Sequence, residues 1–101
     1  MDKRRKPADK EALNQQRRDM FAAIERGEMS LQEAVRQMRA LSRLTQPEFA
    51  AHRGVSVKVI KEIERGIGNP TVRSLNLIGK IFGLEVAFVR SAGIKTPIPD
   101  R

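Results

Sequence analysis

The chain has 101 residues, with 20 Lys and Arg against 12 Asp and Glu, for a formal net charge of +8. This length favours one small core over two domains, and the positive charge favours an anionic partner such as nucleic acid. The absence of Cys excludes disulfides and thiolate metal sites, and it makes a reducing cytoplasm, here a bacterial one, the expected location.

Residues 1–8 are predicted to form a flexible basic arm. They contain four consecutive basic residues, Lys3, Arg4, Arg5 and Lys6. The arm either follows the DNA backbone or minor groove, or is only a solvated tail, and the sequence leaves both open. No apolar run follows, so neither a signal peptide nor a membrane span is expected.

Residues 9–29 are predicted to form an N-terminal helical extension. Apolar residues recur at helical spacing over about 9–26, namely Leu13, Met20, Phe21 and Ile24. Gly27 is placed to end this helix. The apolar stripe either packs on the core of the domain, which is the commoner use, or binds a partner.

The main domain is predicted over residues 30–90. Ser30 and Glu33 form a capping box that starts a helix, which continues to about Ser42. Its inner face carries Val35, Met38 and Leu41.

Two short helices about a glycine turn follow, and they carry the main functional signal. Thr45 and Glu48 form a capping box for the first helix, which Gly54 ends after about two turns. Ser56 caps the second helix, which runs to about Arg65.

The second of these helices has two unlike faces. At about 100° per residue, one side collects Val59, Ile60 and Ile63, which should face the core. The opposite side collects Val57, Lys58, Lys61, Glu62 and Arg65. Since an exposed cationic face is a poor packing surface, we expect it to face an anion, as a helix in the DNA major groove does.

The motif resembles the phage-repressor or Cro-like (XRE) helix-turn-helix family over residues 35–84. The matching residues are Gln46, Ala50, Gly54, Val55, Ile60, Ile63 and Glu64, followed by Asn69 and Pro70. The resemblance implies a mainly α, lambda-repressor-like bundle, here with an extra N-terminal helix. Arg53 departs from the family pattern, which often has an apolar residue at that position.

The resemblance also implies roles for individual residues. Base edges would be contacted by Val57, Lys58, Lys61 and Glu62, through lysine to guanine, valine to the thymine methyl and glutamate to cytosine. Lys58 and Glu62 could instead simply pair on a solvated face, because they lie four residues apart. Arg39 would form a structural ion pair with Glu64.

Contacts to the DNA backbone are expected first from Gln46, at the start of the first motif helix. Its companions by position are Arg43, Arg53, Arg65, Asn69 and Arg73. Each of these arginines could equally be a solvated surface charge, which is the usual role of a lone arginine.

After the motif, Thr71 is predicted to cap a helix that runs to Phe82 and closes the core. Its inward stripe is Val72, Leu75, Ile78, Ile81 and Phe82. Residues 84–89 then favour a short strand, which would pair with the same strand of a second copy through Leu84, Val86 and Phe88. HipB-like antitoxins of the same broad family are similar here. The alternative is a further helix packing in cis, and residues 91–101 are expected to be a disordered tail.

These observations predict a DNA-binding transcription regulator, binding a near-palindromic operator as a homodimer. Autorepression and a role as the antitoxin of a toxin-antitoxin pair are the favoured settings, with a toxin as protein partner. The alternative is a protein-interaction module on the same scaffold. No enzyme activity, cofactor or metal site is expected, because no catalytic constellation is assembled and His52 is the only histidine.

Overall fold

The computed structural model describes residues 9–90, which form a helical bundle. Its elements are α1 (Lys10–Glu25), α2 (Leu31–Ser42), α3 (Gln46–Arg53), α4 (Val57–Arg65), α5 (Val72–Gly79) and a 3-10 turn (Lys80–Phe82). None of these helices is both long and apolar enough to cross a membrane. The predicted arm over 1–8 and tail over 91–101 lie outside the described residues.

The helices begin where the capping residues predict. Thr45, Ser56 and Thr71 each accept a hydrogen bond from the amide three residues later, at 3.2, 3.2 and 3.0 Å. At α3 the capping box is complete, because Glu48 also accepts a bond from the Thr45 amide, at 2.9 Å. Each such cap contributes about 1 kcal/mol to helix stability.

The predicted capping box of α2 is only half formed. Ser30 accepts from the Glu33 amide at 3.1 Å, as expected. The Glu33 carboxylate instead accepts a bond from the Gln37 side chain at 3.1 Å, one helical turn further on. The predicted start of α2 is therefore confirmed. The predicted bond from the Ser30 amide to the Glu33 carboxylate is wrong, because Gln37 on the same helix face binds that carboxylate instead.

One hydrophobic core joins all five helices. It contains Met20 of α1, Val35 and Met38 of α2, Phe49 of α3, Ile60 and Ile63 of α4, and Ile78 of α5. Leu13, Phe21 and Ile24 pack partly buried against the same core. The stripe of α1 therefore serves packing, the commoner of its two predicted uses.

The prediction that five residues around α5 form an inward stripe is wrong for two of them. Val72 and Ile81 are both about 60% exposed, at 61% and 60%. Val72 lies about 120° round the helix from the buried Ile78, so it belongs to the edge of the apolar face. Ile81 follows the end of α5 and lies on the rim of an open groove beside Phe82.

Residues 84–90 form neither a strand nor a helix, so neither predicted conformation is present in this described segment of the single chain. A strand needs a partner for its peptide groups, and no neighbouring strand lies within residues 9–90. The segment instead folds back along α5. The Leu84 amide donates to the Gly79 carbonyl at 3.0 Å, and the Val86 amide donates to Asn76 Oδ1 at 2.8 Å.

Candidate nucleic-acid interface

The turn between α3 and α4 holds the two helices in a fixed, close arrangement. Gly54 takes a left-handed conformation with φ 76°, which glycine adopts without strain. The Val55 amide then donates back to the Ala50 carbonyl at 3.0 Å. Ala50 is buried, and its small side chain allows α4 to pack closely across α3.

The nine-residue helix α4 presents an apolar face inward and a basic face outward. Ile60 and Ile63 are buried in the core. Lys58, Lys61 and Arg65 are exposed. This separation gives α4 a cationic surface suited to a polyanion.

The two lysines of this face differ in their surroundings. The Lys58 side chain is 81% exposed, and its Nζ lies 3.2 Å from Glu62 Oε2. The pairing of Lys58 with Glu62 on the helix surface, considered from the sequence, is thus present in the free protein. Lys61 forms no hydrogen bond or ion pair with another of the described residues. The Lys61 ammonium is therefore more available to an outside acceptor than the Lys58 ammonium, which already pairs with Glu62.

The other two residues predicted to contact bases are partly enclosed. Val57 is half-buried and packs against the core, so only part of its side chain faces outward. Glu62 lies against the loop that follows α4. A Cβ added to Gly68 would be 2.7 Å from Glu62 Oε1, so that glycine makes room for the carboxylate.

A hydrogen-bonded network around Glu64 fixes α2, α3 and α4 to one another. Arg39 donates from Nε and Nη2 to the two oxygens of Glu64, at 2.7 and 2.9 Å. Gln46 Nε2 also donates to Glu64 Oε1, at 3.1 Å. The Gln32 amide donates to the Glu64 carbonyl at 2.8 Å, which supports the end of α4.

The charges in this network shift the pKa values of both partners. Burial alone would raise the pKa of the Glu64 carboxyl, but the hydrogen bonds from Arg39 and Gln46 outweigh it and lower that pKa. The hydrogen bond to Glu64 raises the pKa of Arg39. Both groups therefore stay charged at neutral pH, which lets the pair orient the helices.

Gln46 is held differently from the sequence expectation. Its side-chain amide is directed to Glu64 rather than left open for a phosphate. The backbone amide of Gln46, at the first position of α3, has no hydrogen-bond partner among residues 9–90. The N-terminal end of α3 thus offers a backbone donor, with the side chain fixed beside it.

The placement of Arg53 on the DNA backbone is wrong, because the residue is in the interior. Arg53 is only 5% exposed. Its guanidinium carbon lies 4.3 Å from the centroid of the Phe49 ring, and Nε donates to the Ile78 carbonyl at 3.2 Å. An arginine committed to an aromatic ring and an internal carbonyl cannot also reach a phosphate on the outer surface.

The remaining candidates for DNA backbone contacts lie on the surface. Arg65, Asn69 and Arg73 are exposed. Arg43 is half-buried and ends α2 in a left-handed conformation with φ 58°, uncommon for a residue other than glycine.

The sequence did not reveal that Gln32 is a structural residue. Its side-chain bond to the Glu64 carbonyl spans 32 positions, and no local pattern marks it.

A capped helical pair with a fixed turn, a buried inner face and a basic outer face defines a helix-turn-helix DNA-binding domain. The comparison with protein families agrees: a family model described as helix-turn-helix matches residues 35–89, more than half of the chain. The chain therefore belongs to this XRE-type helix-turn-helix family, whose domains are DNA-binding and characteristic of transcription regulators. No curated protein and no solved structure matches the chain significantly.

Proposed function

We propose that this chain is a sequence-specific transcription regulator that reads an operator with the outer face of α4. The observation that carries the proposal is the position of Lys58 and Lys61, exposed on the face opposite the buried Ile60 and Ile63. Lysine donors on a projecting helix can bond to guanine O6 and N7 in the major groove. Val57 and Glu62 contribute their exposed parts, a methyl for thymine and an acceptor for the cytosine amine.

The DNA backbone would be held by residues around this helix. The open backbone amide of Gln46, strengthened by the positive end of α3, suits a phosphate oxygen. Arg43, Arg65, Asn69 and Arg73 are its proposed companions. Such contacts set the position of the domain on the duplex but carry no base specificity.

The experiment compares Lys61→Ala with Gln46→Ala against a selected operator and against random DNA. Lys61→Ala should weaken the operator by about 1–3 kcal/mol and random DNA much less, because it removes a base contact. Gln46→Ala keeps the backbone amide but removes the side-chain bond to Glu64 that holds this end of α3, so it should weaken both alike through a displaced backbone contact. Arg18→Ala, on the exposed surface of α1, is the control and should change neither. Equal losses on both DNAs for Lys61→Ala would overturn the assigned role.

The proposed regulator acts as a homodimer on a near-palindromic operator. Apart from the Leu84 and Val86 amides, which bond to α5, the backbone of residues 84–90 is not paired with a strand among residues 9–90, and Phe88 is fully exposed. Pairing with the same segment of a second copy would cover both. Two α4 helices would then lie about 34 Å apart, one duplex turn, so a footprint should protect two half-sites.

Autorepression is the regulatory setting we propose, with membership of a toxin-antitoxin pair as its extension. Repression of a reporter driven by the chain's own promoter tests the first, and capture of the product of the adjacent gene tests the second. A reporter unchanged by loss of the chain would contradict autorepression.

The second candidate is a protein-interaction module in which DNA binding is secondary. It is favoured by the exposed Phe88 and Val89, which could contact a protein partner such as a toxin. Salt dependence separates the two candidates. Several phosphate contacts should make DNA affinity fall by orders of magnitude between about 50 and 200 mM salt. Absent binding at about 50 mM would favour the interaction module.

A further inference from the structure

Within residues 9–90, the buried Arg53 has only neutral hydrogen-bond partners. Its three nitrogens bond to the Ile78 carbonyl at 3.2 Å, the His52 ring at 2.8 Å and the Ser42 hydroxyl at 3.3 Å. No carboxylate among residues 9–90 forms an ion pair with it. Buried charges are ordinarily paired, so this guanidinium lacks the counter-charge that its environment calls for.

Burial is also the cause of a lowered Arg53 pKa, with no neighbouring acid to offset it. Arg39 shows the contrast within the same domain, since its hydrogen bonds to Glu64 raise its pKa. Arg53 nevertheless remains charged, because guanidinium stays protonated in proteins. A positive charge is thus held in the interior by aromatic and neutral contacts alone.

A second arginine, on helix α1, lies near the same aromatic ring as Arg53. Arg17 of α1 lies with its guanidinium carbon 5.6 Å from the centroid of the Phe82 ring. Arg53 lies 6.0 Å from the same centroid. Arg17 forms no hydrogen bond or ion pair within residues 9–90. In the described part of the chain, the Phe82 ring therefore has two cations near it and no anion.

Both arginines line an open groove of about 330 Å³. Its polar lining is Arg17, Ser42, His52 and Arg53, and its apolar lining is Leu41, Leu44, Ile81 and Phe82. None of the described residues that line it is acidic, and its volume falls within the range of small-molecule sites. The exposed Ile81 gives this groove an apolar rim.

We propose that this groove binds a small carboxylate attached to an apolar or aromatic body. The carboxylate would bond to the exposed Arg17 and lie next to the buried Arg53, where it supplies the missing negative charge without displacing the hydrogen bonds of that guanidinium. Its apolar body would cover Phe82 and Ile81. Arginine suits this chemistry because its planar donors match both oxygens of a carboxylate.

His52 adds a directed donor to the groove. Arg53 Nη1 can only donate, so the His52 Nδ1 that it contacts must be the acceptor. In the neutral ring the proton then lies on Nε2, which leaves one N–H free to reach a ligand. The groove thus combines two arginine cations and a histidine N–H donor with an apolar wall.

The site lies away from the base-reading face of α4 and from the Gln46 amide, and Arg43, between the lining residues Ser42 and Leu44, is the one proposed DNA contact beside it in the sequence. Arg53 is the last residue of the eight-residue helix α3, and Gln46 is the first. Seven steps of helix separate the two by about 10 Å along the axis. Occupation of the groove is therefore a property of the domain beyond its proposed DNA binding, and failure of one leaves the other standing.

The test titrates the full isotope-labelled chain, without DNA, with benzoate as the probe and follows backbone amide signals. Benzoate should produce saturable shifts at Ser42, His52, Arg53 and Ile81. Benzamide has the same shape without the charge and should not saturate at the same concentrations. Inorganic phosphate, which lacks the apolar body, should bind more weakly than benzoate.

Matched variants assign the binding to the groove. Arg17→Ala should weaken benzoate by about tenfold, because it removes a charge-assisted bond. Arg18→Ala removes an arginine from the next position of α1 and should leave the affinity unchanged. Arg53→Leu should abolish saturable binding, with its retained fold checked by the unaffected signals of α1 and α4.

Several results would overturn the proposal. They are equal binding of benzamide and benzoate, phosphate binding as tight as benzoate, and no saturable shift at millimolar benzoate. Shifts located away from the groove would also overturn it, as would equal behaviour of Arg17→Ala and Arg18→Ala. If Arg53→Leu fails to fold, the Arg17 and Arg18 pair decides the question.

Discussion

Glu64 orients three helices through a single side chain that is nearly buried. Its carboxylate accepts from Arg39 on α2 and from Gln46 on α3, while the residue itself belongs to α4. Burying a charge costs free energy, and the attraction to Arg39 offsets that cost only while both partners are present. The pair is therefore better described as a device that fixes geometry than as a net source of stability.

Removing Arg39 alone should be far more costly than removing the pair. In Arg39→Met, Glu64 keeps a buried charge without its cation, and we expect a loss of about 3 kcal/mol in the free energy of unfolding. The loss falls at the low end of the usual range because the Arg39 side chain is 29% exposed. The double variant Arg39→Met with Glu64→Leu should recover most of it. Urea unfolding of Arg39→Met, Glu64→Leu and the double variant measures these losses, and losses that add would contradict this account.

The same pair predicts an acid dependence of stability. The pKa of Glu64 is lower in the folded chain than its ordinary value of 4.5. Its contribution is therefore complete above about pH 4.5 and is lost as pH falls through the lower folded pKa. Glu64→Gln lacks this titration, so its difference from the natural chain should shrink in acid. Urea midpoints between pH 7 and pH 3 provide the measurement, with Glu85→Gln as an exposed control. A difference independent of pH would contradict the prediction.

At the scale of the elements, local chemistry was predictable and long-range contacts were not. Thr45, Ser56 and Thr71 mark helix starts correctly because a cap needs only its own next three residues. Arg53 was misplaced because its environment is made by Phe49 and Phe82, the second of them 29 positions away along the chain. No pattern near Arg53 reveals those rings.

Residues 84–90 illustrate the same limit. Their β-branched and aromatic composition favours an extended chain, and the described segment is neither helical nor paired as a strand. Whether such a segment becomes a strand depends on a partner that local sequence does not specify. The roles of Lys58, Lys61 and Gln46 toward DNA likewise stay predictions, because they depend on a molecule outside the chain.

Gly79 provides a test of how α5 holds this segment. A Cβ at position 79 would lie 2.8 Å from the Leu84 carbonyl oxygen, which is backbone and cannot move cheaply. Although alanine favours helix by about 1 kcal/mol, we expect Gly79→Ala to destabilise the chain by about 1–3 kcal/mol through this clash. Thermal unfolding measures the loss, and hydrogen exchange should quicken at Val86.

Asn14→Ala is the matched control for this substitution. Asn14 is exposed within α1, so alanine there should raise helix stability slightly without any contact being changed. A Gly79→Ala chain at least as stable as the Asn14→Ala chain would show that the segment does not press on α5.

At the scale of the whole molecule, the exposed apolar residues at 88 and 89 are the basis of the proposed dimer. Phe88 is fully exposed and Val89 is 81% exposed, on a segment without strand pairing. A positively charged chain can remain dispersed with such residues exposed, but a dimer would remove them from water.

Phe88→Glu tests the proposed dimer directly. A charge at this position should prevent two segments from pairing face to face, so the variant should sediment as a monomer while the natural chain sediments as a dimer. Ile67→Glu introduces the same charge at an exposed apolar residue of the α4–α5 loop and should leave the dimer intact. A dimeric Phe88→Glu chain, or a monomeric natural chain, would refute strand pairing.

The separation of α4 into a buried face and an exposed face bears on how such a protein could acquire a new DNA sequence as its target. Lys58 and Lys61 touch nothing that holds the bundle together, whereas Ile60, Ile63 and Glu64 are committed to it. Exchanging the two lysines should retarget the domain while its unfolding free energy shifts by no more than about 0.5 kcal/mol. Glu62 is less interchangeable, because Gly68 is shaped around it. Divergence of operators could thus proceed through a pair of positions, with the frame inherited unchanged.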